Sequence, residues 1–173
     1  MNTPWTASLF LKINTLVGKW PVLDRAAIFF AHYALWICAI ILLYTWWGYG
    51  IIVPLVAEFL VMSAVAFSFS YMVALWTSRP RPILQFPNTK VLIRTMGTWK
   101  SFPSDHAISA VLLAYAGWIT FPGLIGMLFV IVSILIACSR VWVGVHYPRD
   151  ILGGGAVGIL VIFASKMFTF FPG

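Results

Sequence analysis

From Ala26 to Trp47 the chain runs for 22 residues without a formal charge. At about 1.5 Å per residue, a helix of that length crosses the roughly 30 Å of hydrocarbon in a bilayer. The pattern returns further on. Ile51 to Trp76 is interrupted only by Glu58, and residues 107–139 carry neither charge nor histidine. A single helix over 107–139 is about 50 Å long, too long for one crossing. Pro122-Gly123 divides it into spans near 104–121 and 124–142, joined by a tight turn. A last span begins near Asp150 and runs to about Phe170. Only 9% of the residues are charged, against roughly a quarter in a soluble domain, so lipid must solvate most of the surface. The sequence predicts an all-α, polytopic membrane helix bundle in one domain over 1–173. It has about five transmembrane helices, near 26–47, 51–76, 104–121, 124–142 and 150–170.

Residues 5–20 place Trp5, Leu9, Ile13, Leu16 and Trp20 at helical spacing, with Lys12 and Lys19 elsewhere on the wheel. This predicts an N-terminal helix lying in the membrane interface. It lacks the uninterrupted apolar centre and cleavage site of a signal peptide. Pro21 and Asp24 mark the next helix start. Cys38 and Cys138 lie inside apolar runs and read as small buried hydrophobes rather than a disulfide. Eleven Lys and Arg stand against four Asp and Glu, a net charge of +7. That excess points to anionic headgroups or phosphorylated substrates; there is too little polar surface for a nucleic-acid partner.

Five crossings put the one long polar segment, 77–102, on the same membrane face as 139–150. Three clusters meet there: SRPRP (78–82), SFPSDH (101–106) and SRVWVGVHYPRD (139–150). Taken singly, each has a plainer account. The first is a stiff basic loop, the second a helix start capped by Ser104 or Asp105, the third an interfacial turn anchored by Trp142 and Tyr147. Together they bring two of the three histidines and two of the four acids to one face. Ionisable groups near hydrocarbon are costly and tend to be functional.

The chemistry fits phosphate. Arginine offers paired planar donors to phosphate oxygens. A helix beginning at Ser104 presents free N–H groups and a positive dipole end. Asp150, four residues after His146, can hydrogen-bond one ring nitrogen, fixing the tautomer and freeing the other nitrogen as a nucleophile. His106, from a different helix, can then protonate a leaving oxygen. Too few carboxylates remain to hold a divalent metal in the usual oxygen-rich way, so the arginines must neutralise charge.

These clusters resemble the signature of the type 2 phosphatidic acid phosphatase superfamily. Its third element is complete at Ser139, Arg140, His146 and Asp150. The second is present at Pro103, Ser104 and His106, with Asp105 where most members have Gly. The first is present at Arg81-Pro82, but the signature lysine falls on Ala74. With SFPSDH and the lead-in INTLVGKWPVLD, the chain is most similar to the bacitracin-resistance-type undecaprenyl diphosphatases. The resemblance implies chemistry without metal or cofactor: His146 as nucleophile forming a phosphohistidine, Asp150 orienting it, and His106 as acid and then base. It also implies phosphate binding by Arg81, Arg140 and Ser104. Arg79 is the candidate for part of the missing lysine's role. Asp105 either tunes His106 or caps its helix, and the cap is the favoured reading.

The implied function is hydrolysis of undecaprenyl diphosphate to undecaprenyl phosphate, with a polyprenyl diphosphate lipid as the substrate partner. Phosphatidylglycerol phosphate, phosphatidic acid or a lipid A phosphate are alternative substrates, and a non-enzymatic lipid transporter is a different-class alternative. His32 reads as a packed core histidine, and Lys90, Arg94 and Lys100 as a solvated basic loop. Gly153, Gly154, Gly155 and Gly158 read as close helix packing, while Glu58 needs a partner or a proton. Ten of the eleven basic residues fall on the active face by this topology, which the positive-inside rule would place in the cytoplasm. The resemblance instead places that face outside, on the periplasmic or exterior side of the bacterial inner membrane.

Overall fold

The apolar runs fold as helices, since a backbone surrounded by lipid must satisfy its own hydrogen bonds. The computed structural model describes residues 5–94, 97 and 99–167. It contains α1 (Trp5–Asn14), α2 (Pro21–Phe29), a π-helical turn (Phe30–Ala34), α3 (Leu35–Gly48), α4 (Ile52–Thr77), a short α5 (Pro82–Gln85), α6 (Asp105–Thr120), α7 (Leu124–Trp142) and α8 (Pro148–Met167). No strand occurs among the described residues. The chain is an all-helical, multi-pass membrane protein.

Four helical runs are long and apolar enough to cross a bilayer: Pro21–Gly48, the run from Ile52, Leu124–Trp142 and Pro148–Met167. Helix α6 is shorter at 16 residues, about 24 Å, and occupies the middle of the bundle. It packs on α3, α4, α7 and α8, through Ala107, Ile108, Ala110, Leu112, Leu113 and Ala116. Trp36, Ile40, Trp76 and Phe163 point outward from the surrounding helices. The residues expected to end the last span, 168–170, lie outside the described residues.

Local chemistry sets the breaks. Ser78 takes a left-handed φ of 41° and closes α4, its N–H returning to the Ala74 carbonyl at 2.8 Å. Arg79-Pro80 then disfavours any continuation of the helix. Gly123 at φ 89° makes the turn between α6 and α7.

The helix start marked by Pro21 and Asp24 is kept: proline suits the first helical position, and Asp24 sits in the first turn. Several expectations change. The N-terminal helix stops at Asn14 rather than near residue 20: the bonds that follow tighten, Leu16 N–H to the Ile13 carbonyl and Lys19 N–H to the Leu16 carbonyl, and Gly18 takes φ 83°. Asn14 binds the polar segment. Its amide donates to the Lys90 carbonyl at 2.8 Å and accepts from the Lys90 N–H at 2.9 Å. The stripe Trp5, Leu9, Leu16, Trp20 does face outward, while Ala7 and Phe10 pack on Val141 and Tyr147. Cys38 is buried but Cys138 is exposed on α7. Gly153, Gly154 and Gly158 do mark close approaches, whereas Gly155 faces open space. His32 is exposed and lies edge-on to Tyr33, so it is not a packed core residue.

Candidate active site

The polar segment and the 139–150 stretch do meet at one end of the bundle. Ser101 N–H donates to the Arg79 carbonyl at 2.9 Å, Ser104 N–H to the Asp150 carbonyl at 3.0 Å, and Leu92 N–H to the Val143 carbonyl at 3.1 Å. Lys90 Nζ reaches the Val17 carbonyl at 2.6 Å. Lys90 therefore straps this segment to the N-terminal turn and is not simply a solvated charge.

His146 leaves α7 through a turn in which Gly144 adopts φ 85°. A side chain there would collide with the Lys90 carbonyl. The imidazole is buried, and its Nδ1 lies 3.0 Å from the Ser101 carbonyl oxygen. A carbonyl only accepts, so Nδ1 must carry the proton and Nε2 holds the free lone pair. Asp150 was expected to make this bond, but its Oδ2 stands at 3.6 Å. The correction has a physical reason: Oδ2 already accepts from Ser101 Oγ at 2.6 Å and from the Tyr147 N–H at 2.8 Å. Asp150 thus holds Ser101 by its hydroxyl, and Ser101 holds His146 by its carbonyl. Burial pushes the His146 pKa below its ordinary value, and the nearby Asp150 carboxylate only partly opposes it. The resting ring is neutral.

His106, on the first turn of α6, and His146 lie close enough to Arg81 and Arg140 for their charges to act on one another. Arg140 Nη1 donates to the Ala31 carbonyl at 2.9 Å. Ala31 belongs to the π-helical turn, whose wider hydrogen-bond spacing marks an interruption in the α-helical ladder. Several other polar atoms of the site are orphans, Asp150 Oδ1 among them. Arg81 Nε and Nη1, Arg140 Nε and Ser104 Oγ are buried without a hydrogen-bond partner among the described residues. Such donors cost roughly 1–3 kcal/mol each unless a ligand meets them. All four fit an anion, and their free N–H and O–H groups match phosphate oxygens.

Two other expectations change here. Neither Ser104 nor Asp105 caps α6 through its side chain. Asp105 instead pairs with Lys100 at 2.6 Å and accepts from Ser70 Oγ at 2.8 Å. Lys100 is therefore engaged rather than solvated. Arg79 is exposed, its guanidinium 5.3 Å from the Phe102 ring centre. Beside the site a cavity of about 500 Å³ opens between the polar segment and the 144–145 turn, with Arg81 and Arg94 in its wall.

A helical membrane bundle with this three-part constellation defines a class, and similarity to known proteins identifies it. The PAP2 superfamily matches residues 55–171, and the chain belongs to this family of lipid phosphatases. It is 31% identical over 162 residues to undecaprenyl-diphosphatase BcrC of Bacillus subtilis (strain 168), covering 93% of this chain and 82% of that one. It is 28% identical over 171 residues to bacitracin transport permease protein BcrC of Bacillus licheniformis, covering 93% and 77%. The crystal structure of LpxE from Aquifex aeolicus shares the fold at a TM-score of 0.75 and 23% identity, over 96% of this chain and 97% of that one.

Proposed function

We propose that this chain removes the terminal phosphate of undecaprenyl diphosphate, releasing inorganic phosphate and undecaprenyl phosphate, the lipid carrier of cell-wall synthesis. One observation carries the reading. A neutral His146, held through Nδ1, lies beside buried arginine donors with no protein partner among the described residues. His146 Nε2 attacks the terminal phosphorus as the bridging P–O bond breaks. Its electron pair goes to the bridging oxygen, which takes a proton from His106, a ring that the negative charge of the bound substrate brings to its protonated form. Arg81, Arg140 and Ser104 hold the equatorial oxygens as charge redistributes. Water, deprotonated by His106, then cleaves the phosphohistidine. The name of the Bacillus subtilis relative, an undecaprenyl-diphosphatase, favours a prenyl diphosphate over a glycerophospholipid phosphate.

The reading puts the active face on the periplasmic or exterior side of the bacterial inner membrane. The basic-residue count is a weak objection, because several of those charges serve the fold. Lys90 binds Val17, Lys100 binds Asp105, Arg140 binds Ala31, and Arg149 lies over the Tyr147 ring. Purified protein in chelator-containing buffer should show its highest kcat/KM on undecaprenyl diphosphate in a panel with phosphatidylglycerol phosphate and phosphatidic acid. His146→Ala should abolish release from every substrate. A preference for either glycerophospholipid would sink the substrate assignment.

A further inference from the structure

Lys100 stands at the rim of this site with no part yet in the reaction. Its Nζ lies 2.6 and 2.8 Å from the two Asp105 oxygens and 3.0 Å from Ser70 Oγ. The lysine side chain is only 17% exposed and the carboxylate 46%. A partly buried pair of this kind is weak evidence for stability, because desolvation offsets its attraction. Its place says more. Lys100 adjoins Ser101, and Asp105 adjoins His106. Ser70 and Ala74 are buried one turn apart on α4. The ammonium therefore meets α4 beside the position where the family's signature lysine has been replaced by alanine. Immediately outside, Tyr71 and Trp99 meet edge to face at 6.1 Å, each about half exposed. Amphipathic rings of this kind favour the level of the lipid headgroups.

We propose that Lys100 receives the inner phosphate of a lipid diphosphate, with Tyr71 and Trp99 bearing the first part of the tail. This rests on the diphosphatase reading above. With the terminal phosphate among Arg81, Arg140, Ser104 and His146, the inner phosphate lies on the leaving-group side, next to His106. Lys100 is a cation held there, beside Asp105. At rest Asp105 and Ser70 keep the ammonium ordered, which reduces the entropy lost when substrate arrives. The ammonium then exchanges one Asp105 oxygen for a phosphate oxygen and faces the charge that grows as the P–O bond breaks. A monophosphate ester has no inner phosphate and gains nothing from this contact.

The test compares kcat/KM for farnesyl diphosphate and farnesyl monophosphate, which share one tail, in wild type, Lys100→Met and the double variant Lys100→Met/Asp105→Asn. Both rates come from one preparation, so the ratio is independent of the folded fraction. Lys100→Gln replaces Lys100→Met should that variant fail to fold. The diphosphate-to-monophosphate ratio should fall about tenfold or more in the single and double variants, the scale of one charge-assisted hydrogen bond. An unchanged ratio in the single variant overturns the proposal. So does a wild-type ratio in the double variant, which would reduce Lys100 to neutralising Asp105. A wild type that prefers the monophosphate removes the substrate reading itself, whereas the shift on substitution reports on Lys100.

Discussion

Gly154→Ala places a methyl group where α8 crosses the start of α6. A Cβ at this position would stand 2.9 Å from Ala107 Cβ and 3.3 Å from the Ser104 carbonyl carbon, and closer still to the Ser104 oxygen. Ordinary carbon–carbon contact is about 3.5–4.0 Å, so the helices must part by something near 1 Å. Overpacking of this size costs about 1–3 kcal/mol, offset by about 1 kcal/mol of helix propensity when Gly becomes Ala. The fold should survive. The site should not, because the same contact carries the Ser104–Asp150 hydrogen bond and the Ser104 hydroxyl. A displacement of about 1 Å at reacting groups can cost about a hundredfold in rate. The assay is phosphate release from a lipid diphosphate in detergent, with folding checked by circular dichroism and gel filtration. Gly155→Ala is the control, since a Cβ there meets nothing within 4 Å. Wild-type kcat in a folded Gly154→Ala protein would refute the argument that this packing sets the site.

Ser101→Ala keeps the carbonyl that holds His146 but removes the 2.6 Å bond to Asp150. Losing a hydrogen bond to a buried carboxylate is worth about 1.5–3 kcal/mol, so kcat should drop roughly 10- to 100-fold with KM nearly unchanged; an equal loss in KM alone would contradict a positioning role. A second prediction follows from the lowered pKa of His146. Above about pH 6.5, the ordinary histidine value, both folded and unfolded His146 are neutral and its contribution is fully present. As pH falls through that value the unfolded chain takes up a proton that the folded chain refuses, so stability drops. The thermal midpoint of wild type should fall more between pH 7.5 and 5.5 than that of His146→Gln; parallel shifts would show that His146 is not held neutral.

The helices were legible because charge-free runs longer than about 18 residues admit few other solutions in lipid. Proline and glycine punctuation at 122–123 was legible for local reasons, as was the change from apolar span to polar segment after Trp76. What escaped were contacts fixed by distant partners. Asn14 on α1 binds Lys90, which is 76 residues away. The π-turn has no sequence signal of its own, and its role shows only where Ala31 meets Arg140. Within the candidate site, side chains with strong chemistry stood out: His106, His146, Asp150, Arg81 and Arg140. Ser101 did not, because half of its part is a backbone carbonyl that any residue would supply. Its hydroxyl meets Asp150 across 49 residues of sequence. Lys100 had a faint signal, a lysine beside SFPSDH in a chain lacking the family lysine at position 74.

The central claim is that His146 Nε2 becomes phosphorylated, and trapping that species tests it most directly. Protein mixed with undecaprenyl diphosphate labelled in its terminal phosphate, and quenched in alkali within one turnover, should carry label on the peptide that contains His146. That label should be stable to alkali, lost in acid, and absent from His146→Asn. Release of labelled phosphate in a single turnover with no label on His146 would contradict the account.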